Sequence, residues 1–471
     1  MIKPLVMPPD RLFSADPVQR AIAGRLFELT ESLPIVSPHG HVDPAWFALD
    51  EPFANPSEML IQPDHYVFRM LYSQGVPLER LGIRRTDGSA PDADPRAVWR
   101  VLAEHYRLFR GTPSGYWLNY VFHFVFGIDE RLCAETADDY YERIDGALRT
   151  DAFRPRALFD RFDIEVLATT ESPLDALEHH RVIRDSAWSG RVITAFRPDP
   201  VVDPDFEGFA DNLDTLGSLT GLDCGDYGQY LEALRQRRAF FRSMGATSTD
   251  HGHPTAATAD LDFNQAEELF RRVRSGGAGA EDAELFRAHM LVVMAEMSLD
   301  DGLVMQIHPG SYRNHNRRLF ADRGRDMGAD IPSRTDYVNA LKPLLDRFGN
   351  EAELCVIVFT LDESTYSREL APLAGHYPVL KLGPPWWFHD SPEGMLRMRR
   401  ATQETAGFYN LAGFNDDTRA FLSIPARHDM ARRMDCVHLA ELVASHRLDE
   451  DEAAELIVDL SYNFAKSAYR L

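Results

Sequence analysis

Ile35-Val36-Ser37-Pro38-His39-Gly40-His41 is the stretch that decides the fold, because a short apolar run ends here in two histidines one residue apart. Side chains of an extended segment alternate between two faces, so His39 and His41 project to the same side. Two imidazoles that converge in this way are a typical grip for zinc or a similar metal ion. The pair alone does not distinguish a metal site from two loop histidines.

Seven similar runs follow the first, and each is short, apolar or β-branched, and closed by polar or aromatic side chains. The eight runs span residues 34–37, 165–170, 192–196, 246–250, 303–308, 354–360, 379–382 and 410–414. Stretches with helical spacing of apolar residues lie between most of them, including residues 174–184, 283–297, 334–348, 368–374 and 395–406. Strand and helix alternating eight times predicts an α/β fold, a (β/α)8 TIM barrel.

Two long spacings predict that this barrel is distorted by insertions. Residues 1–43 would form an N-terminal segment and strand 1, and residues 44–160 a large, mainly helical insertion after strand 1. Residues 161–427 would form the remainder of the barrel, with a smaller helical insertion after strand 3 at about 200–244. Residues 428–471 would form a helical tail. Both insertions follow strand ends, where they could wall an active site.

Composition restricts the partners of the chain. It has 471 residues, of which 44% are hydrophobic, and a formal net charge of -23. Such a charge disfavours nucleic acid and anionic membranes, so we expect neither and favour a small substrate. An anionic substrate would need arginines in the pocket to hold it. The four cysteines form no CxxC pair, and neither a membrane-spanning stretch nor a signal sequence is evident, so a cytoplasmic location is expected.

Reactive side chains follow several of the predicted strands. Because the carboxyl ends of barrel strands face one cavity, these side chains are expected to share one active site. They are His39 and His41 after run one, Arg197 after run three, Asp250-His251 at run four, His308 at run five, Trp386-Trp387-Phe388 after run seven and Asn415-Asp416-Asp417-Thr418-Arg419 after run eight. Residues that only cap strands would explain one or two of these groups, but not four histidines and two arginines together.

The sequence resembles the uronate isomerase (glucuronate isomerase) family of the amidohydrolase superfamily over nearly its whole length. The motifs that carry the resemblance are Asp64-His65-Tyr66 with Arg69 and Gly75-Val76, Thr169-Thr170 with Pro173, Leu177-Glu178-His179-His180, Arg197-Pro198-Asp199, Asp250-His251, Gln306-Ile307-His308 with Arg313-Asn314, Trp386-Trp387-Phe388, and Asp417-Thr418-Arg419-Ala420-Phe421-Leu422-Ser423 with Arg427-His428. The resemblance implies an enzyme of carbohydrate metabolism that interconverts D-glucuronate with D-fructuronate and D-galacturonate with D-tagaturonate. It also implies a homo-oligomer and no nucleotide cofactor.

Aldose–ketose conversion of this kind moves a proton from C2 to C1 through an enediol. It needs a base, a donor for the developing oxyanion and a holder for the substrate carboxylate. Arg197 and Arg419 offer planar, charged forks, so both are predicted to be catalytic and to bind substrate. Asp417 would complete a metal site with His39 and His41 and shuttle a hydroxyl proton, since the first and last strands of a closed barrel are neighbours.

The site is expected to hold one divalent metal ion, with zinc preferred. This ion need not be essential for activity. His308 could instead be a third imidazole ligand, or it could form an acid–base pair with Asp250 or orient sugar hydroxyls with it. Arg427 and His428 would support the site from behind or simply begin the last helix.

By resemblance, Tyr66 acts near C1 and C2, as a proton carrier or as a hydrogen-bond donor to the enediolate. A basic role needs a neighbour that lowers the phenol pKa from about 10. His65 and Arg69 also match the family and are expected to bind substrate. Trp387, or its neighbour Trp386, would present a flat apolar face to the sugar ring.

Ser37 departs from the family pattern, in which many members carry an acidic residue two positions before the first histidine of the pair. A carboxylate there would orient an imidazole ligand. Its replacement is expected to affect metal binding more than the reaction.

Two other functions fit the same residues. A metal-dependent hydrolase of the same superfamily would attack a sugar-acid lactone, ester or amide. Against it, no lysine that could bridge two metal ions follows any of the runs that would supply such a ligand. A non-catalytic sugar-acid binder would use the arginines and tryptophans alone. Release of an acid from a lactone, together with loss of activity on addition of a chelator, would favour the hydrolase. Binding of a uronate without turnover would favour the binder.

Overall fold

The computed structural model describes residues 2–89, 91 and 93–471. Its strands, in chain order, are β1 (Ile35–Ser37), β2 (Ile164–Glu171), β3 (Val192–Phe196), β4 (Ser248–His251), β5 (Val304–Ile307), β6 (Ser311–Tyr312), β7 (Ile331–Pro332), β8 (Val356–Val358) and β9 (Leu380–Leu382). Seven of them form one parallel sheet in the order β1-β2-β3-β4-β5-β8-β9, while β6 and β7 form a small antiparallel pair. Burial on both faces suits the apolar, β-branched runs that form the sheet.

The eighth predicted strand closes the sheet but is not a full strand. Residues 410–414 pair with β9 through a single bridge between Leu382 and Leu411. Gly413 then adopts a φ of +78°, and a Cβ there would lie 2.5 Å from the backbone nitrogen of Ala465. The chain therefore turns out of extended geometry. Farther on, the amide of His41 donates to the Thr418 carbonyl at 3.0 Å, which joins the last segment to the end of β1.

Twenty-one α-helices surround the sheet. In chain order they are α1 (Pro17–Glu28), α2 (Pro44–Leu49), α3 (Pro56–Leu60), α4 (His65–Tyr72), α5 (Pro95–His105), α6 (Pro113–Tyr120), α7 (Ala137–Leu148), α8 (Pro155–Arg161), α9 (Glu178–Asp185), α10 (Asp199–Val202), α11 (Phe209–Thr220), α12 (Tyr227–Ser243), α13 (Phe263–Arg274), α14 (Ala280–Asp301), α15 (Arg317–Arg323), α16 (Lys342–Phe348), α17 (Ala371–Ala374), α18 (Pro392–Ala406), α19 (Ile424–Ala444), α20 (Glu450–Val458) and α21 (Phe464–Ala468). The count covers the described ranges only.

Three predicted helices differ at their starts from the apolar spacing. The one expected at 368–374 begins as a π-helical turn, Tyr366–Leu370, and becomes α-helical at Ala371. The one expected at 174–184 begins at Glu178, because Leu177 takes a left-handed φ of 52°. The one expected at 334–348 begins at Lys342, because the amide of Tyr337 donates to the Glu369 carboxylate at 2.7 Å instead of entering a helix. In the case of residues 334–348, a side-chain acceptor outside the segment therefore overrides the periodic pattern.

Helices α2–α8 lie between β1 and β2 and pack around a separate hydrophobic cluster that includes the buried Trp99, Phe122 and Tyr140. Helices α10–α12 lie between β3 and β4. These positions correspond to the stretches predicted as insertions, whereas the division of the chain into domains at 43, 160 and 427 remains a prediction.

The last residues of the chain enter the barrel core. Ala465 of α21 packs with Val36 and Val166, and the fully buried Tyr469 packs with Val304 and Ile357. The Tyr469 hydroxyl donates to Gln306 Oε1 at 3.2 Å and accepts from Asn415 Nδ2 at 3.0 Å. It therefore joins β5 to the segment that carries Asp417.

Replacing Tyr469 with phenylalanine is expected to lower the free energy of unfolding by about 1–3 kcal/mol, because two buried amides lose their partner. Urea unfolding measures the change. The control is Tyr409→Phe, since Tyr409 is 64% exposed and its replacement should shift stability by less than about 0.5 kcal/mol. Equal stability of the two variants would show that the Tyr469 hydroxyl is not a structural link.

Candidate active site

A cavity of about 890 Å³ opens at the carboxyl ends of the barrel strands. Every predicted site residue except Arg69 lines it. These residues are His39, His41, His65, Tyr66, Arg197, Asp250, His308, Trp387, Asp417 and Arg419. The fold therefore brings together, at the strand ends, side chains that are up to 380 residues apart in sequence.

His39, His41 and Asp417 form a compact set of possible metal ligands. Asp417 Oδ1 lies 3.2 Å from His41 Nε2 and 3.5 Å from His39 Nε2. Two ligands about 2.0–2.2 Å from a tetrahedral zinc ion are about 3.3–3.6 Å apart, so the spacing suits such an ion. Burial lowers the pKa of His39 to about 4, which keeps the imidazole neutral as a ligand must be.

Ser37 stands where many family members have an acidic residue, and this affects the orientation of the metal-ligand candidate His39. His39 Nδ1 is buried, and no residue in the described part of the chain offers it a hydrogen-bond partner. The Ser37 hydroxyl is likewise buried and unpaired among these residues. The second nitrogen of the imidazole therefore lacks the carboxylate that commonly orients a metal-binding histidine.

Asp417 is held as an anion. Burial alone would raise its pKa, but the hydrogen bond from His41 and the proximity of His39 hold the pKa well below its ordinary range. Trp386 Nε1 donates to Asp417 Oδ2 at 2.6 Å. Asp417 also has a left-handed φ of 39°, a conformation that is costly outside glycine and is often retained at functional sites.

Asp250 and His308 form a buried dyad next to the possible metal ligands. His308 Nδ1 lies 2.7 Å from Asp250 Oδ1, and Arg197 Nη1 lies 3.1 Å from Asp250 Oδ2. Burial opposes ionisation of Asp250, yet Arg197 and His308 hold its pKa well below the usual range. The carboxylate thus keeps the proton of His308 on Nδ1. His308 Nε2 is buried and has no partner within the described ranges, and its ring stacks 4.8 Å from the His39 ring.

Arg197 is fixed by two carboxylates. Its Nε donates to Asp199 Oδ2 at 2.8 Å, while Nη1 pairs with Asp250. A Cβ on Gly252 would lie 2.3 Å from Arg197 Nη2 and 2.8 Å from Asp199 Oδ2, so a side chain at this position would displace the guanidinium from its present place. A quarter of the Arg197 side chain is exposed to the cavity, which leaves N–H groups for a substrate oxygen.

His65 and Tyr66 reach the cavity from the start of α4. The Asp64 carboxylate accepts the Tyr66 amide at 2.8 Å and so begins the helix at this point. Burial raises the pKa of Tyr66 well above its ordinary value, although nearby Arg427 acts in the opposite direction. The phenol therefore stays protonated. Burial lowers the pKa of His65 to about 3, with Arg419 acting in the same direction, so this imidazole is neutral.

Arg69 lies behind the cavity wall. Its guanidinium carbon lies 5.8 Å from the centre of the Tyr66 ring and 5.1 Å from that of Phe388. Trp387 faces the cavity and stacks on Phe388 at 5.2 Å. Arg69 therefore supports aromatic side chains of the wall.

Several charged residues of the cavity were not predicted as site residues, among them Glu171, Arg313, Asp326 and Asp330. Glu171 follows run two directly and could have been found from the strand-end rule; burial raises its pKa to about 8. Arg313 pairs with Asp330 at 3.3 Å, and Asp326 accepts from Arg419 at 2.8 Å. Asp326 and Asp330 follow α15, where no periodic pattern marks their approach to the cavity.

Arg427 and His428 lie beneath the cavity. Arg427 Nη1 donates to Asp390 Oδ2 at 2.7 Å, and its guanidinium carbon lies 5.5 Å from the centre of the Tyr66 ring. Burial raises the pKa of Asp390 to about 7. His428 bonds Asp416 at 3.1 Å. Both residues belong to α19, which α20 and α21 follow, so the expectation that they begin the last helix is wrong.

Fold and site together define a class: a (β/α)8-barrel enzyme of the amidohydrolase superfamily, with His-x-His after the first strand and an aspartate after the last. A model of the family described as glucuronate isomerase matches residues 16–469. The uronate isomerase of Rhizorhabdus wittichii is 71% identical over 468 residues, which cover 99% of either chain. The chain belongs to the glucuronate isomerase family.

Solved structures agree with this assignment. The crystal structure of glucuronate isomerase from Caulobacter crescentus matches with a TM-score of 0.98 and 62% identity, over 99% of this chain and 98% of that one. Uronate isomerase from Thermotoga maritima matches with a TM-score of 0.92 and 27% identity, over 98% and 99%. The predicted family, barrel fold and activity as a uronate isomerase, an aldose–ketose isomerase, are confirmed. Within the described residues, no helix has the length and apolar character needed to cross a membrane.

Proposed function

We propose that the enzyme interconverts D-glucuronate with D-fructuronate and D-galacturonate with D-tagaturonate, by moving a proton between C2 and C1 through an enediol. The observation that carries the proposal is the meeting of two chemical units in one cavity. One is the His39, His41 and Asp417 set, and the other is the dyad of Asp250 and His308, whose ring stacks on His39.

His308 is the group that exchanges the carbon-bound proton. The Asp250 carboxylate accepts a hydrogen bond from the His308 Nδ1–H group. The free lone pair is therefore on Nε2, which is buried and has no partner among the described residues, while the ring lines the cavity. Arg197 keeps Asp250 ionised, which stabilises the imidazolium formed when Nε2 takes the proton from C2. The same nitrogen then returns the proton to C1.

Asp417 and Tyr66 handle the oxygen atoms. Asp417 is ionised. It accepts the proton of the C2 hydroxyl as the C2 carbonyl forms and delivers this proton to the C1 oxygen, which becomes a hydroxyl. Tyr66 remains protonated and donates a hydrogen bond to the enediolate, so of its two predicted roles we retain the donor.

The substrate carboxylate and ring need separate contacts. Arg419 and Arg197 supply guanidinium groups, His65 a neutral donor, and Trp387 an apolar face. Arg69 acts through Tyr66, since it does not line the cavity.

A divalent metal, with zinc preferred, would be held by His39, His41 and Asp417. Bound there, it would supply positive charge that stabilises the developing oxyanion. After dialysis against zinc, the wild-type chain is expected to retain about one ion per chain and His41→Ala far less, as measured by elemental analysis. Equal zinc content in the two proteins would place the metal elsewhere.

Chromatography tests the proposed reaction. Purified protein, chelator-treated or loaded with zinc or manganese, is incubated with each uronate, and the matching ketose is expected in amounts equal to the aldose consumed. Both uronates remaining unchanged under every condition would contradict the proposal. Release of a new acid from a lactone would support the hydrolase instead.

The proposal includes a cytoplasmic location and a homo-oligomer. All four cysteines are free, which suits a reducing compartment. The oligomer rests on the family resemblance, and sedimentation of the purified chain tests it.

A further inference from the structure

Asp326 reaches the active-site cavity from the segment between α15 and β7. Its Oδ2 accepts a hydrogen bond from Arg419 Nη2 at 2.8 Å. Arg419 was expected to bind an anionic oxygen of the substrate, so a carboxylate of the chain already occupies this guanidinium. Both side chains are accessible, with 39% of Arg419 and 49% of Asp326 exposed. Water or another ligand can therefore replace either partner of this ion pair.

The surroundings of Asp326 favour a negative charge. Burial by the cavity walls would raise its pKa, but the groups around it lower the pKa below its ordinary value. These groups are Arg419, His65, Arg313 and His41. Of these groups, the two arginines carry the positive charge that an anionic ligand needs in a chain with a formal charge of -23.

The backbone holds Asp326 in this place. Its φ of 62° is left-handed, a conformation that aspartate adopts more readily than most residues but that still carries strain. The segment is anchored on both sides. Before Asp326, the amide of Thr86 donates to the Asp322 carbonyl at 3.1 Å; after it, Gly328 packs against Arg69 so closely that a Cβ would lie 2.7 Å from the Arg69 Cβ.

We propose that Asp326 is an internal competitor of the substrate. Its carboxylate binds the Arg419 guanidinium in the free enzyme, and the carboxylate of the uronate displaces it when the substrate binds. This inference rests on the proposed function, since it needs a uronate in the cavity. The displaced Asp326 side chain turns to solvent, while its anchored backbone stays in place.

An opposite role for Asp326 is physically distinct. If its carboxylate orients Arg419 for the substrate, removing the charge would weaken uronate binding. If it competes, removing the charge would tighten binding of any ligand that carries the carboxylate, and of no other ligand. The two roles therefore predict effects of opposite sign.

The experiment measures dissociation constants of two unreactive ligands by calorimetry. One is the hexonate obtained by reducing the C1 aldehyde of D-glucuronate to an alcohol, and the other is the matching uncharged hexitol, which lacks the carboxylate. Asp326→Asn keeps the shape of the side chain and tolerates the left-handed backbone. Its hexonate affinity is expected to rise about two- to fivefold, the range of an exposed ion pair, with the hexitol unchanged.

Asp322→Asn is the matched control. It also removes one negative charge from the same segment, but Asp322 pairs with Arg323 and Arg85 outside the cavity. Its hexonate affinity is expected to stay within about twofold of wild type, which separates competition from the general effect of net charge. Thermal unfolding verifies that the variants are folded, and Asp326→Ser serves as a second variant.

Weaker or unchanged hexonate binding by Asp326→Asn, or equal tightening of the hexitol, would overturn the inference. The KM of Asp326→Asn for D-glucuronate should fall by the same factor as its dissociation constant for the hexonate. If the wild type isomerises uronates but Asp326→Asn binds no tighter, the inference alone fails. If the wild type neither isomerises uronates nor binds the hexonate, the proposed function fails.

Discussion

Asp417→Asn is expected to lower kcat by about 10²- to 10⁴-fold, the contribution typical of a positioned acid–base group. Asparagine keeps the volume and can still accept from Trp386, but it cannot take up a hydroxyl proton and is a poor metal ligand. Binding of the unreactive hexonate should remain measurable, because the arginines that hold the carboxylate are unchanged. Steady-state kinetics and calorimetry measure the two effects separately.

Asp416→Asn provides the comparison for this variant. Asp416 is the adjacent residue, yet its carboxylate bonds His428 and not the histidine pair. Its loss is expected to reduce stability more than turnover. A kcat of Asp417→Asn within tenfold of wild type would remove Asp417 from the chemistry, and loss of hexonate binding would reassign it to substrate binding.

Asp250→Asn is expected to produce a loss of similar size, about 10²- to 10⁴-fold in kcat. The asparagine oxygen would face Arg197, which can only donate, and its NH2 group would then face His308 Nδ1. This arrangement favours the tautomer of His308 with its proton on Nε2, which can no longer act as a base. The tautomer is observable by nitrogen NMR of the labelled imidazole.

Asp199→Asn separates this effect from a disturbance of Arg197. Asp199 pairs with Arg197 at 2.8 Å, as Asp250 does at 3.1 Å, but in the described structure only Asp250 bonds His308. A smaller loss in Asp199→Asn than in Asp250→Asn is expected. Equal losses, with an unchanged tautomer of His308, would contradict the role of the dyad.

The barrel could be predicted from sequence because most buried strands are short apolar or β-branched runs, and the site because strand ends converge. His39, Asp250 and His308 were found in this way. The incomplete eighth strand could not be, since it depends on the contact between Gly413 and Ala465, two segments far apart in the sequence.

Other features needed the three-dimensional structure. Trp386 donates a hydrogen bond to Asp417, whose backbone is left-handed, and neither this contact nor this conformation is marked by a pattern in the sequence. Asp326 lies on an irregular segment without periodicity, so only the fold shows that it meets Arg419. Burial raises the pKa of Tyr66, which favours the proposed role as a hydrogen-bond donor over that of a proton carrier, and this burial could not be read from the sequence.

The most direct test of the central claim follows the hydrogen on C2. D-Glucuronate deuterated at C2 is incubated with the metal-loaded enzyme, and deuterium NMR locates the label. We predict that the product is a ketose without deuterium on C2, the label having moved to C1 or to water. Label that stays on C2 of every sugar species, with or without another product, would contradict proton transfer between C2 and C1.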